Sequence, residues 1–185
     1  MKKSRKEDVI NSANCMIRKV GFSNLSFSQI SKDIGVTREN VHHYFKKKED
    51  LGNACLSSMA LDLEEKFKEI HSLEIDAKEK LEEYFKIYKI NQDDREDCPT
   101  VQLLNEYDLL PTSMQSQVKV LCDIEIENIE KILEEGIKDK IFIENIQVKD
   151  KSKEILTLLK GSVSYTKVFN NFKEISNNII NNLIN

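Results

Sequence analysis

The sequence predicts an all-α protein: a three-helix unit with a helix-turn-helix over residues 1–47 and a larger helical domain over 48–185, about nine helices in all. Three observations carry this. Apolar residues recur at three- and four-residue spacing along nearly the whole chain, with no sustained alternation of apolar and polar residues. Two prolines and five glycines in 185 residues leave few breaks. A single glycine, Gly35, separates two short helical patterns, and basic and aromatic groups crowd the end of the second, which is how a helix-turn-helix presents one helix to a DNA major groove.

The first helix opens at a capping box, Ser4-x-x-Glu7, and carries Val9, Ile10, Ala13, Met16, Ile17 and Val20 on one stripe until Gly21 stops it. A second capping box, Ser26-x-x-Gln29, predicts a helix to about Ile34. Gly35 takes the turn, where a side chain would cost strain, and Thr37 caps a third helix with Val41 and Tyr44 facing inward. Small Ser31 falls where the two helices cross. The fourth helix starts after Lys46-Lys47, with Glu49 and Asp50 complementing its dipole and a stripe of Leu51, Cys55, Met59, Leu63, Phe67 and Ile70.

A fifth helix from about residue 75 carries Leu81, Phe85 and Tyr88 and ends in the polar stretch Asn91 to Asp97. Pro99 suits the first turn of a sixth, with Cys98 as its cap and Val101, Leu104 and Tyr107 inward. Thr112-x-x-Gln115 reads as a capping box for a seventh helix bearing Val118, Leu121, Glu125, Ile129, Ile132 and Leu133 as far as Gly136. In 137–149, Ile141-Phe142-Ile143 is either a loop anchor or a short extended piece. Two helices follow, roughly 150–168 and 171–184, the latter with an Asn171-x-x-Glu174 cap and an Asn-rich end that frays or is disordered.

The chain's net charge of −4 is uneven. Residues 1–50 hold 11 Lys/Arg against 6 Asp/Glu, a net +5, and the rest hold 17 against 26, a net −9. A basic head on an acidic body is the footprint of a DNA-reading module. No apolar run reaches bilayer length and the N-terminus has no signal-peptide core, so no membrane partner and a cytoplasmic location are expected. Cys15, Cys55, Cys98 and Cys122 lie far apart, with neither metal-ligand nor disulfide spacing. No metal or other cofactor is called for, and Cys15, Cys55 and Cys122 read as core. There is no Ser/His/Asp constellation and no Gly-rich phosphate loop, and adjacent His42 and His43 point to different helix faces. The sequence therefore names no catalytic residue.

The stretch from Val9 to Leu56 resembles the N-terminal DNA-binding domain of TetR-type (TetR/AcrR) transcriptional regulators. The resemblance rests on an apolar first helix ending in Gly21-Phe22, the Ser26-to-Ile34 helix, Gly35-Val36-Thr37, and Tyr44-Phe45 followed by Lys48-Glu49-x-Leu51. It covers about a quarter of the chain. A weaker likeness, from Cys98 through Glu106 to Leu110-Pro111 and from Leu158 through Gly161, extends to the body of a TetR subgroup with a cysteine opening its sixth helix. The chain departs from the family pattern at Glu39, often glycine, at His42, often tyrosine, and at Tyr44, a usual histidine place. The operator sequence is therefore not transferable from a relative.

In such a head Thr37, Arg38, Glu39, Asn40 and His43 form the outward set for base edges. Arg38 pairs with a guanine and Asn40 with an adenine, each for roughly 1–3 kcal/mol of discrimination, and Glu39 can accept from cytosine N4. Ser26, Ser28, Gln29, His42, Tyr44, Lys46 and Lys48 are assigned to phosphate or sugar, Lys48 by the resemblance, although Tyr44 equally suits a core role over the turn. One module buries too little surface for operator-grade affinity, so a homodimer on a pseudo-palindromic double-stranded operator is expected. Leu156, Leu159, Val163, Phe172, Ile175 and Ile179 are its interface residues unless they only close the monomer core.

The resemblance further implies a small-molecule effector in an apolar pocket drawn from Phe67, Phe85, Tyr88, Cys98, Leu104, Tyr107, Leu121 and Phe169, each of which also reads as plain core. A thiol capping a helix gains from the dipole, and in similar regulators a cysteine there senses electrophiles or oxidants. Asp93, Asp94, Glu96 and Asp97 oppose a thiolate at Cys98, with Arg95 alone on the other side. The function expected is a ligand- or stress-responsive repressor. The alternative is a DNA-binding adaptor without a small-molecule switch.

Overall fold

The computed structural model describes residues 4–93 and 98–184. Among them are nine α-helices, one 3-10 turn and no strand: α1 (Arg5–Val20), α2 (Phe27–Asp33), α3 (Arg38–Tyr44), α4 (Lys48–Ser72), α5 (Ala77–Asp93), α6 (Pro99–Asn105), the turn at Tyr107–Leu109, α7 (Thr112–Lys138), α8 (Val148–Phe169) and α9 (Phe172–Asn181). The all-α expectation and the helix order hold. No helix of the described residues is long and apolar enough to cross a membrane. The chain falls into two compact units, Met1–Asp62 with Pro99–Leu121 and Leu63–Cys98 with Cys122–Asn185.

In the first unit, α1 keeps its capping box: Ser4 Oγ accepts from the Glu7 amide and Glu7 accepts from the Ser4 amide. Val9, Ala13 and Ile17, spaced by four, are buried, and α1 packs on α2 and α6. That spacing places Cys15 on the opposite side, so Cys15 is exposed and not core as expected, and Val20 lies at the exposed end of the stripe. Ile30, Val41, Phe45, Leu51, Cys55 and Leu56 fill the centre, Cys55 with its thiol pushed up to about 12 by burial. Gly52 admits no Cβ, which would stand 2.6 Å from Met114 Sδ and 2.7 Å from the Phe22 ring.

Several expected details shift. Ser26 precedes α2 without a side-chain cap bond, so the second capping box is absent. The inward aromatic after Val41 is Phe45 and not Tyr44. Helix α3 ends at Tyr44, and Phe45 in extended backbone (φ −132°, ψ 111°) turns its ring inward, leaving Tyr44 39% exposed. In seven-residue α6 the buried positions are Thr100, Val101 and Leu103, one residue out of phase with the expected Leu104, which is exposed. Helix α7 already includes Thr112, so the box there fails. Gln115 Nε2 instead donates to the carbonyls of Tyr107 and Leu110.

The second unit packs α5, α8 and α9 against one another. Ile129, Ile132, Leu133, Leu81, Tyr84, Ile155, Leu159 and Leu183 are buried to 1% exposure or less. Of the two readings of Ile141–Ile143, the loop anchor is correct. The Phe142 ring fills the space where a side chain at Gly136 would stand, and Ile143 N donates to Leu183 O at 2.9 Å. Asn171 makes no side-chain cap bond to α9. Cys122 is partly exposed, with burial raising its thiol pKa, so it lies at the margin of the core. The side chains of Asn91 to Asp97, and with them the charge balance expected around Cys98, lie outside the described residues.

Candidate nucleic-acid interface

The head is built on α2, a four-residue turn and α3. Gly35 sits at φ +67° with open space around its Cα, so the glycine is required by backbone conformation and not by crowding. Val36 N closes the turn onto Ser31 O at 2.9 Å. Ser31 is buried and spends its hydroxyl on Ser28 O at 2.8 Å, which lets the helices cross closely without leaving a buried donor unmet.

Thr37 caps α3 as expected, its Oγ1 accepting from Asn40 N at 3.3 Å. Arg38, Glu39, Asn40 and His43 are all exposed. The capped helix therefore projects a cation, a carboxylate, an amide and an imidazole on an outward face, a donor and acceptor set suited to base edges. The Glu39 carboxyl is held below the usual carboxylate range by its own backbone amide and the Thr37 hydroxyl, so it is present as an acceptor at neutral pH.

The expected phosphate contacts divide. Ser28 and Lys46 are exposed, as is Tyr44, whose ring meets His43 edge-on at 5.5 Å; Ser26 is half-buried. Three of the set are engaged within the protein. His42 packs edge-on against Phe27 with ring centres 4.7 Å apart. Gln29 Nε2 donates to Asp33 Oδ1 at 2.8 Å, and Asp33 also accepts from Ser12. Lys48 Nζ donates to Ser23 O at 2.7 Å and lies 4.8 Å from the Phe22 ring centre. Burial lowers the Lys48 pKa, and the Glu106 carboxylate opposes that shift. Lys47 is exposed beside Lys46 and belongs to the same basic edge; the Lys46–Lys48 run was its signal.

The residues assigned to an effector pocket also divide. In the second unit, Phe67, Phe85, Tyr88 and Cys98 are buried around Tyr84, Glu125 and Lys160, three residues absent from the sequence-based set. Tyr84 stacks on Phe67 at 5.0 Å and donates to Glu125 Oε1 at 2.9 Å, and Tyr88 also donates to that oxygen. Lys160 Nζ lies 2.9 Å from Glu125 Oε2, 3.7 Å from Cys98 Sγ and 5.0 Å from the Tyr88 ring centre. Burial pulls the Lys160 pKa down, but Glu125 and Cys98 outweigh it and hold the ammonium charged. Burial first, then Glu125, raises the pKa of both phenols. Phe169 is 62% exposed and stacks on Tyr165 near the end of α8, so it lines no enclosed space here. In the first unit Leu121 is buried, Tyr107 half-buried and Leu104 exposed. A carboxylate within the stripe Val118, Leu121, Glu125, Ile129 was the one signal for this cluster.

Of the residues expected at a dimer interface, Leu156, Leu159, Val163, Phe172 and Ile179 are buried within the chain, because the α8 and α9 stripes close the core against α5; Ile175 is half-buried. A groove of about 180 Å³ on α8 and α9 is lined by Ile155, Leu158, Ile175 and Ile179 with polar neighbours. Leu158, Tyr165 and Val168 remain exposed on α8. Among the described residues no group of three His, Cys, Asp or Glu is placed to hold a metal ion.

Residues 9–55 match the family described as bacterial regulatory proteins, tetR family. Over 99% of this chain and 100% of the other, the protein superposes with a TM-score of 0.89 and 25% identity on a TetR transcriptional regulator from Legionella pneumophila. The reduced form of NemR from E. coli matches at 0.85 and 20% identity over 98% of both chains. The regulator FadR from Bacillus subtilis, in complex with stearoyl-CoA, matches at 0.74 and 20% identity over 97% of this chain and 98% of that one. No curated protein matches the sequence.

Proposed function

Because the chain belongs to the TetR family of DNA-binding bacterial transcriptional regulators, we propose that it is a repressor that binds a pseudo-palindromic operator as a homodimer and is released by an effector. The observation that carries this is the capped outward face of α3, with Arg38, Asn40 and His43 exposed over a buried Val41. Arg38 and Asn40 read bases, and Glu39 selects for a cytosine edge. Ser26, Ser28, Gln29, His42, Tyr44, Lys46 and Lys48 contact the DNA backbone, with Lys47 on the same edge. By role, residues 1–47 are the reading head and 48–185 the regulatory body, and the protein acts in the cytoplasm, where its DNA is.

Pairing through α8 and α9 would use the surface that folding leaves open, chiefly Leu158, Tyr165, Val168 and Ile175. Two heads then address two half-sites about one helical turn of DNA apart. The effector reading is supported by the stearoyl-CoA held in the structurally similar FadR and by Cys98 and Tyr88 beside the buried Lys160–Glu125 pair. Modification of the Cys98 thiol, whose Sγ lies 3.7 Å from Lys160 Nζ, is a second route to release.

Gel shifts on DNA upstream of the coding sequence, with and without Arg38→Ala and Asn40→Ala, test the head. Unchanged sequence preference in both variants would remove the base-reading assignment. A monomer at micromolar concentration in sedimentation would remove the dimer. Binding that no small molecule and no thiol reagent reverses would leave an adaptor without a switch.

A further inference from the structure

We propose that Glu106 is a positioning residue for DNA recognition: its carboxylate grips the turn between α1 and α2 and so fixes the attitude of the reading head. The inference rests on the DNA-reading role proposed above. It begins with backbone donors that no helix satisfies. After Gly21 the chain leaves α1, and the amides of Phe22 and Ser23 point away from any helical partner. Glu106, 84 residues along the chain from Phe22, supplies the acceptor. Its Oε2 accepts from Phe22 N at 2.7 Å and from Ser23 N at 3.1 Å, and its Oε1 lies 3.3 Å from Ser23 N.

The approach depends on Gly21. The backbone there is at φ +79°, and a Cβ would stand 2.5 Å from Glu106 Oε1. On the other side of the same residue, Lys48 Nζ takes the Ser23 carbonyl at 2.7 Å. Ser23 is thus held at its N–H by a carboxylate and at its C=O by an ammonium. Four residues later α2 begins, and α2 carries α3 through Val36 N to Ser31 O and the Phe27–His42 ring contact. Charge-assisted bonds of this kind are stronger and more directional than neutral ones. A negative charge in the unit that meets a polyanion is unfavourable for binding unless it contributes something else, and the contribution here is orientation.

The two roles of Glu106 predict opposite signs. As a charge alone, its removal tightens DNA binding; as a positioning residue, its removal weakens it. We expect Glu106→Ala to bind promoter DNA about tenfold or more weakly, as loss of hydrogen bonds to a charged group implies. Its salt dependence should keep the wild-type slope, because no phosphate contact is lost. Glu106→Gln keeps an acceptor oxygen and should restore most of the affinity. Glu106→Ala binding as tightly as wild type, or more tightly, overturns the proposal.

Amide hydrogen exchange on the DNA-free protein keeps the test decisive if the alanine variant folds poorly. The Ser23 amide, although on an exposed residue, should exchange slowly in the wild type and faster in Glu106→Gln. Exchange of the Phe22 and Ser23 amides at unprotected rates in the wild type also overturns it. This measurement involves no DNA. A wild type that ignores promoter DNA therefore counts against the DNA-reading role and not against the grip.

Discussion

The reading head and the Glu125–Lys160 cluster hold their polar groups in opposite ways. On α3 the polar side chains are exposed, and what orients them is the local backbone: a threonine cap, a left-handed glycine and one buried valine. Around Glu125 the polar groups are buried in the second unit and orient one another. The head can therefore change its outward residues at little cost to folding, which suits the base-reading role proposed for it. In the cluster no member can change alone, because the partner left behind would be an uncompensated buried group.

The largest expected effect tests that contrast directly. Lys160→Met should destabilise the protein by about 3–5 kcal/mol, the range for breaking a buried ion pair from one side, as read by urea unfolding. Adding Glu125→Leu should recover only part of the loss, because it removes the stranded carboxylate but leaves the Tyr84 and Tyr88 hydroxyls with each other alone. A cost below about 1 kcal/mol for the single change, the range of surface pairs, would erase the distinction between the regions.

Alkaline titration sharpens the same point. Tyr84 and Tyr88 have folded pKa values raised by burial, so their contribution to stability is complete below the unfolded value of about 10 and is lost as pH rises through the folded one. Tyrosinate absorbance should show these two phenols ionising only as the protein unfolds.

In the head, Arg38→Ala should cost roughly 1–3 kcal/mol of discrimination at one base pair, read by competition binding, while the unfolding midpoint stays put. Thr37→Ala should lower stability by about 1 kcal/mol through loss of the cap. Smallest of all, Lys46→Ala should weaken every DNA sequence alike and flatten the salt dependence by about one unit of slope.

What the sequence disclosed follows the same division. Caps, turn glycines and the charged edge of the head are local signals, written within four residues of where they act, and Ser4, Gly35 and Thr37 were legible for that reason. Where local rules misled, a short element had ended or slipped in phase: Phe45 in place of Tyr44, Leu103 in place of Leu104. Gln29 fits a capping-box pattern, yet Asp33 lies four residues on along the same helix face and takes its amide. The cluster was nearly invisible, because Lys160 sits in a helix of mixed polarity and only its fold partners make it a buried cation. Glu106 was equally hidden, since nothing near it in the chain indicates that its acceptors serve residues 22 and 23.

The Gly21–Glu106 approach also bears on how such a chain can diverge. A Cβ at position 21 would stand 2.5 Å from Glu106 Oε1, on backbone whose φ of +79° already disfavours a side chain. These two sites, 85 residues apart, should drift together among descendants of this sequence. Lineages that lose the glycine should carry a shorter residue at 106, and swapping heads between relatives should succeed only when residue 106 travels with the head it was selected beside.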